Sequence, residues 1–358
     1  MNAFVLLGPR EGRVQNVPDP VPTDDQVVVD VARVGVCGTD IEFFDGEMEY
    51  LRLGLATYPM ILGHEWCGRV SKVGRNVDPA LLGARVTGDT MLGCQTCPRC
   101  TSGKQHLCAD RYEIGIRGGW HGALAEQLLV PAFAIQTLPA EVDDSAGAMV
   151  EPGANALRAV EAGGVTADDS VLVLGAGTIG LLAAMFARAR GAHVTIAARS
   201  TRSQHFARSL AFESVYATED LPSDAQFDVV INGTNSPALP DFAVNRVDPG
   251  GRIVLIGLAP TPALVDNNSI ALNDLRVTGV LSGSGALEGA ISAYASGAVD
   301  PRPLIAATIG LDEVGQVLKG QRPLHSRMGP KTLIDPKLRS STDEWRGANE
   351  VSVHTSPM

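Results

Sequence analysis

Between residues 171 and 281 the chain alternates short, continuous apolar runs with segments of helical spacing, and this alternation constrains the fold most tightly. VLVLG (171–175) precedes TIGLLAAMFARARG (178–191), where Ile179, Leu182, Met185 and Phe186 recur at helical intervals. HVTIAA (193–198), a helical SQHFARSLA (203–211), FDVVIN (227–232), GRIVLIG (251–257) and LRVTGVL (275–281) follow. Strands that are apolar throughout are buried on both faces, which requires a parallel sheet between two layers of helices. The region is expected to be doubly wound α/β.

The first 150 residues differ. QVVVDVARV (26–34), GRVSKVG (68–74) and ALAEQLLV (123–130) read as short strands between Gly, Pro and Asp punctuation. After residue 300, LDEVGQVLKG (311–320) reads as a helix and KTLIDP (331–336) as a strand able to return to the first region. A chain of 358 residues exceeds what one core organises, so two domains are expected. The division is 1–152, 153–298, a return over 299–336, and a tail over 337–358. The tail is expected to be mobile, or else an arm docking on a neighbouring subunit through Trp345.

The first apolar run of the α/β region ends in Gly175-x-Gly177-x-x-Gly180. Between a strand and a helix this pattern is a dinucleotide fingerprint. Gly175 permits the turn, Gly177 lets backbone approach a pyrophosphate, and Gly180 allows close helix–strand packing. Thr178 and Ile179 open the helix, whose free N–H groups and dipole favour phosphate. An acidic residue at the end of the second strand would select NAD through the ribose hydroxyl. No Asp or Glu occurs from 193 to 212, whereas Arg199, Ser200 and Arg202 do. They suit a 2′-phosphate, so NADP is expected over NAD; the alternative is a solvated surface turn.

Cys94, Cys97, Cys100 and Cys108 fall within CQTCPRCTSGKQHLC (94–108). Such spacing lets four thiolates close a tetrahedron around a structural zinc with no open position. An iron–sulfur cluster is the other metal reading, and His106 a competing ligand. A second candidate set is dispersed: Cys37 in VGVCGTDIEFFDG, His64 and Glu65 in GHEWCGRV, and Glu151 in AMVEPGANAL. Sulfur, nitrogen and carboxylate together suit a catalytic zinc that keeps one position open. Asp40 is expected to orient His64 through its other ring nitrogen. Cys67 reads as a small buried hydrophobe.

Composition excludes some functions. The formal charge of −11 argues against broad attraction to nucleic acid. No apolar stretch approaches a membrane span, and the N-terminus lacks a secretory pattern, so a cytoplasmic location is expected.

CGTD, GHEWCGRVSKVG, the four-cysteine run, EP at 151–152 and GAGTIG, in this order, resemble the zinc-containing medium-chain dehydrogenase/reductase family. The resemblance spans about residues 1–336 and implies a GroES-like catalytic domain around an inserted Rossmann domain. It implies that Cys37, His64 and either Glu65 or Glu151 hold the catalytic zinc, with Thr39 relaying a proton. Glu151 in place of a cysteine resembles the polyol, sugar and threonine dehydrogenase branch. The expected activity is hydride transfer between a secondary alcohol and NADP, with sugars, cyclitols or polyols favoured. Glu42, Phe43 and Asp45 border the expected pocket or form a solvated loop. Trp120 and His121 line the cleft or cap a turn. A simple secondary-alcohol or threonine dehydrogenase using NAD, a zinc-free reductase, and a non-enzymatic nucleotide-binding sensor are the alternatives. The family's habit of pairing Rossmann sheets edge to edge implies a homodimer or homotetramer, with 275–285 as the edge.

Overall fold

The computed structural model describes residues 1–339 and 345–347. The alternating region forms a six-stranded parallel sheet. Its strands lie in the order Ser214–Tyr216, His193–Ala197, Ser170–Leu174, Phe227–Asn232, Val247–Leu255 and Arg276–Gly279. Val171 and Val173 enter one core while Leu172 and Leu174 enter another on the opposite face. Both faces are thus dry, which is why the sequence shows no alternation. Strand order reverses between Ser170–Leu174 and Phe227–Asn232, and a crevice forms at the carboxyl ends of strands at such a switch point. The segment expected at the sheet edge, Arg276–Gly279, is the outermost strand.

A second, mainly antiparallel sheet is built largely from the N-terminal region. Gln26–Gly35 lies at its centre, paired with Glu65–Val73, Gln127–Pro131 and, from the far end of the chain, Lys331–Ile334. Lys331–Ile334 also pairs in parallel with Ile305–Ile309. The return predicted from KTLIDP is therefore present. It places residues from 35, 65 and 331 side by side, since Gly35 faces Glu65 on one flank and Leu333 on the other.

Val150–Ala162 is a helix of 13 residues with Pro152 and Gly153 in its first turn. A proline in the first turn loses no intrahelical bond, and the helix proceeds. Trp345–Gly347, expected in a mobile tail or an intersubunit arm, pairs antiparallel with Gln321–Pro323 of its own chain. Trp345 packs against the core beneath the second sheet, so apolar burial holds this strand in place. Residues 340–344 and 348–358 of the expected tail lie outside the described residues. Among the described residues no helix is long and apolar enough to cross a membrane.

Candidate metal centre and cofactor cleft

Cys37 follows the central strand Gln26–Gly35 and caps the helix Gly38–Asp45. Its backbone N–H donates to Asp40 Oδ2 at 2.8 Å, while Asp40 Oδ1 accepts from Gly63 N at 3.2 Å. Asp40 is fully buried and stands 3.6 Å from His64 Nδ1. That is ion-pair range but beyond a hydrogen bond, and His64 Nδ1 has no hydrogen-bond partner among the described residues. Gly63, at φ +97°, makes the turn that delivers His64; a Cβ there would meet the Leu124 backbone at 2.9 Å. Cys37, His64 and Glu65 each offer a ligand atom within 4.8 Å of the others. Thr39 is half-buried in the first helical turn beside them.

Glu151, in the first turn of Val150–Ala162, is buried but stands outside that tight set. Its carboxyl is pushed up to about 7, first by burial and also by Glu65, against the opposing pull of His64. His64 is itself pushed well above the ordinary imidazole value: burial opposes its charge, but Asp40 and Cys37 outweigh it.

One further residue completes the centre. Lys331 is buried, and its Nζ donates to both Glu65 oxygens, at 2.6 and 2.8 Å, and to Val36 O at 2.9 Å. Burial disfavours its charge, yet Glu65 and then Cys37 more than compensate and hold the ammonium form. Sequence reading missed it, although a signal existed. A lysine opening the otherwise apolar KTLI must have a partner if the strand is internal, because lysines are almost never buried unpaired.

The inventory of charge tests whether a cation fits. Three buried carboxylates (Asp40, Glu65, Glu151) and the half-buried Cys37 thiol face only two groups able to carry positive charge, Lys331 and His64. Each buried ion without a counter-charge costs several kcal/mol. A divalent cation next to Cys37, His64 and a carboxylate offsets that excess, and the donors are those zinc prefers.

The four-cysteine stretch fits as well. Cys94, Cys97, Cys100 and Cys108 converge with their sulfurs within 4.8 Å. The Cys94–Cys100 and Cys97–Cys108 sulfur pairs lie 3.9 and 3.8 Å apart. A tetrahedron with arms of about 2.3 Å has edges of about 3.8 Å, so the cage has the dimensions of a closed zinc site. The Cys94 thiol is pushed down to about 6 by hydrogen bonds from the Thr96 side chain and the backbone around it. His106, the possible competitor, is turned away: its Nε2 meets Arg158 Nη2 at 3.0 Å. Cys67 is fully buried and belongs to neither set; burial and Asp144 push its thiol up.

The glycines of the fingerprint sit in three different settings. Gly175 has φ +100°, a conformation that favours glycine. A Cβ on Gly180 would lie 2.0 Å from the Gly175 carbonyl, so only glycine lets strand and helix meet. A Cβ on Gly177 would meet nothing within 4 Å, so the space before Thr178 and Ile179 at the helix N-terminus is open. Arg199 and Ser200 are exposed just past the second strand, with Ser200 capping the helix that contains Arg202. In the helix after Cys37, Phe43 is core and Asp45 half-buried; Glu42 is half-buried and its carboxyl is raised by burial and by Glu47. Trp120 donates to Leu129 O at 2.9 Å and packs on Tyr112, a structural role, while its neighbour His121 is exposed.

Known proteins resemble this chain. The alcohol dehydrogenase GroES-like domain family matches residues 23–140, and the zinc-binding dehydrogenase family matches 178–296. An L-threonine 3-dehydrogenase of Saccharopolyspora erythraea is 33% identical over 78% of this chain and 83% of its own. An L-galactonate-5-dehydrogenase of Escherichia coli is 34% identical over 72% and 76%. A protein classed as a zinc-binding dehydrogenase from Sinorhizobium meliloti, solved with NADP, superposes with a TM-score of 0.85 at 30% identity, covering 94% of this chain and 99% of its own. An Escherichia coli alcohol dehydrogenase solved with NADH gives 0.85 at 25% identity over the same shares. With the donor sets, the fingerprint and both family matches in agreement, this chain belongs to the zinc-containing medium-chain dehydrogenase family.

Proposed function

We propose that the protein oxidises a secondary alcohol of a sugar, cyclitol or polyol and passes the hydride to NADP, the reverse reaction reducing the ketone. The observation that carries this reading is the convergence of half-buried Cys37 with buried His64 and Glu65, with Glu151 buried near enough to feel the charges of His64 and Glu65. When bound there, zinc supplies Lewis acidity to the substrate hydroxyl and the nicotinamide supplies the hydride acceptor. The chain's own residues do the positioning. Asp40 faces His64 and fixes Cys37 through its backbone. Thr39, half-buried beside the centre, relays the hydroxyl proton outward. Glu42 is a half-buried acceptor suited to a second substrate hydroxyl. The relative named for L-galactonate supports a polyhydroxylated substrate.

In this reading residues 1–152 and 299–336 form the catalytic unit and 153–298 the nucleotide-binding unit. Pairing of Lys331–Ile334 with Gln26–Gly35 supports the division. Arg199 and Arg202 select the 2′-phosphate, and the neighbour holding NADP supports that choice. The protein acts as a homodimer or homotetramer in the cytoplasm, without nucleic-acid or membrane partners. Leu264, Leu272 and Val277, 92%, 85% and 42% exposed near the outer strand, form an apolar face for a second copy. A second reading, L-threonine oxidation with NAD, is favoured by the threonine dehydrogenase relative.

The test is a panel of polyols, sugars, cyclitols, simple secondary alcohols and L-threonine, each with NADP and NAD, following reduced nicotinamide by absorbance. Highest kcat/KM for a polyhydroxylated substrate with NADP is expected. Exclusive turnover of L-threonine with NAD would replace this reading by the second. In Arg199→Asp the NADP-to-NAD preference should fall by about tenfold or more, the worth of one charged hydrogen bond. An unchanged ratio would return the arginines to the status of surface residues.

A further inference from the structure

We infer that Asp89 and Arg158 are positioning residues: they fasten the turn 281–285, at the mouth of the cofactor crevice, to the cysteine loop, and so couple metal binding in the loop to cofactor binding in the crevice. The inference rests on the readings of the four cysteines as a zinc site and of 153–298 as the nucleotide-binding unit.

The turn leaves the carboxyl end of the outermost strand, Arg276–Gly279. All strands of this sheet run parallel, so the turn lies on the same side as Gly175, which follows Ser170–Leu174. That is the side on which such sheets take ligands. The turn also lies against the helix that carries Glu151, since a Cβ on Gly283 would meet Ala154 Cβ at 2.7 Å and Asn155 N at 3.0 Å. Its shape needs outside support. Ser282 has φ +65°, a conformation that a residue with a side chain keeps only when its surroundings impose it. Two side chains do so. Arg158 donates to the carbonyls of Leu281 and Ser282. Asp89 Oδ1 accepts from Ser284 Oγ at 2.9 Å, and Ser284 Oγ accepts from Ser282 Oγ at 3.0 Å.

Both supports also bind the cysteine loop. The other oxygen of Asp89 accepts from Gln105 Nε2 at 2.9 Å, and Arg158 Nη2 meets His106 Nε2 at 3.0 Å. Asp89 is itself anchored in the catalytic unit: it is 8% exposed, its backbone N–H donates to Ala134 O at 2.8 Å, and Oδ1 takes a further bond from Met91 N at 3.0 Å. Its neighbour Thr90 donates to His64 O, so the same short segment touches the buried centre. While the loop is folded, Asp89 and Arg158 are shielded and their bonds to the turn are strong. Unfolding of the loop takes Gln105 and His106 away and admits water, which competes for the same bonds and weakens them. A loop held by metal therefore favours the turn in its cofactor-binding shape. By linkage, bound cofactor must strengthen metal binding in the loop by the same factor.

The coupling can be measured from its two ends without turnover. Full-length His64→Ala protein, in which the loop is the remaining metal site, is titrated with NADPH and NADH by nicotinamide fluorescence, with and without zinc. The loop's zinc affinity is measured by competition with a chromogenic chelator, with and without the cofactor that binds more tightly. Zinc should tighten the cofactor, and cofactor the zinc, by about tenfold each, within the usual range for coupled sites. Adding Ser284→Ala should cut the factor to about threefold, and adding Arg158→Met as well should abolish it while each ligand still binds alone. A factor near one before these additions, or an undiminished factor after both, would overturn the coupling. Should the combined variant fail to fold, Ser284→Ala decides, and a factor equal to that of its parent overturns the role of Asp89. Failure of the His64→Ala protein to bind zinc would overturn the reading of the cysteine loop, and failure to bind either nucleotide that of the crevice; each would take the inference with it.

Discussion

The two candidate metal sets of this protein are built in opposite ways. The four cysteines come from fifteen consecutive residues, sit half-exposed except for the buried Cys108, and need little beyond their own loop to converge. The mixed centre draws Cys37, His64, Glu65, Glu151 and Lys331 from across the whole chain, and most of these are buried. The first kind of site is a substitute for a core, because binding metal is what folds the loop. The second is a product of a core, since its donors are aimed by sheet register and helix starts that exist without it. Loss of metal should therefore unfold the first region and merely disable the second.

The largest effect follows from the loop's dependence on its metal. Cys97→Ser opens the tetrahedron, and structural zinc in small loops is worth on the order of 10 kcal/mol of local folding energy. The variant should lose one zinc equivalent and be cut by protease within 94–108 while the rest of the chain stays intact. Resistance of that loop equal to wild type would break the comparison at its first term.

Next comes the buried centre. His64→Ala should lower kcat/KM by at least about a hundredfold, since even groups one step removed from a metal are worth 10–100-fold. The melting temperature should stay within a few degrees, because Trp66, Phe43 and Leu62 around the site remain packed. Global unfolding of this variant would mean that the second centre, too, is a folding element.

The same contrast explains what could be read from the sequence. The cysteine loop and the glycine fingerprint are local, so spacing alone carried their geometry into view. Cys37, His64 and both glutamates were legible as residue types, but not that Glu65 is already paired with a lysine. That pairing depends on Lys331 arriving through the register of Lys331–Ile334 on Gln26–Gly35, strands nearly three hundred positions apart. The helix carrying Glu151 was not read from the sequence; Pro152 and Gly153 in its first turn are tolerated there. The opening strands Asn2–Gly8 and Glu11–Asn16 were missed because their turn uses Arg10 at φ +60° instead of a glycine or asparagine.

The smallest effect tests how independent the cysteine loop is. Asp89 accepts from Gln105 Nε2 in the loop and from Ser284 Oγ near the parallel sheet, both at 2.9 Å. Arg158 adds a second tie, donating to Ser282 O at 2.9 Å while its other nitrogen meets His106 Nε2 at 3.0 Å. His106 is held neutral in this setting, since burial, Arg158 and other cations push it down to about 4. It therefore receives the guanidinium hydrogen bond across the pH range in which the protein is handled. Arg158→Met keeps the bulk of the stem but strands these acceptors, which the half-exposed location lets water partly rescue. The cost should be about 1–2 kcal/mol, at the scale of one or two hydrogen bonds to a charged group. Zinc content and kcat should stay at wild-type values while protease cuts the 94–108 loop a few times faster. If the loop's cleavage rate does not change, metal alone holds it and the contrast with the buried centre is sharper than drawn. If zinc is lost as well, the loop depends on the surrounding fold after all, and the two centres differ only in degree.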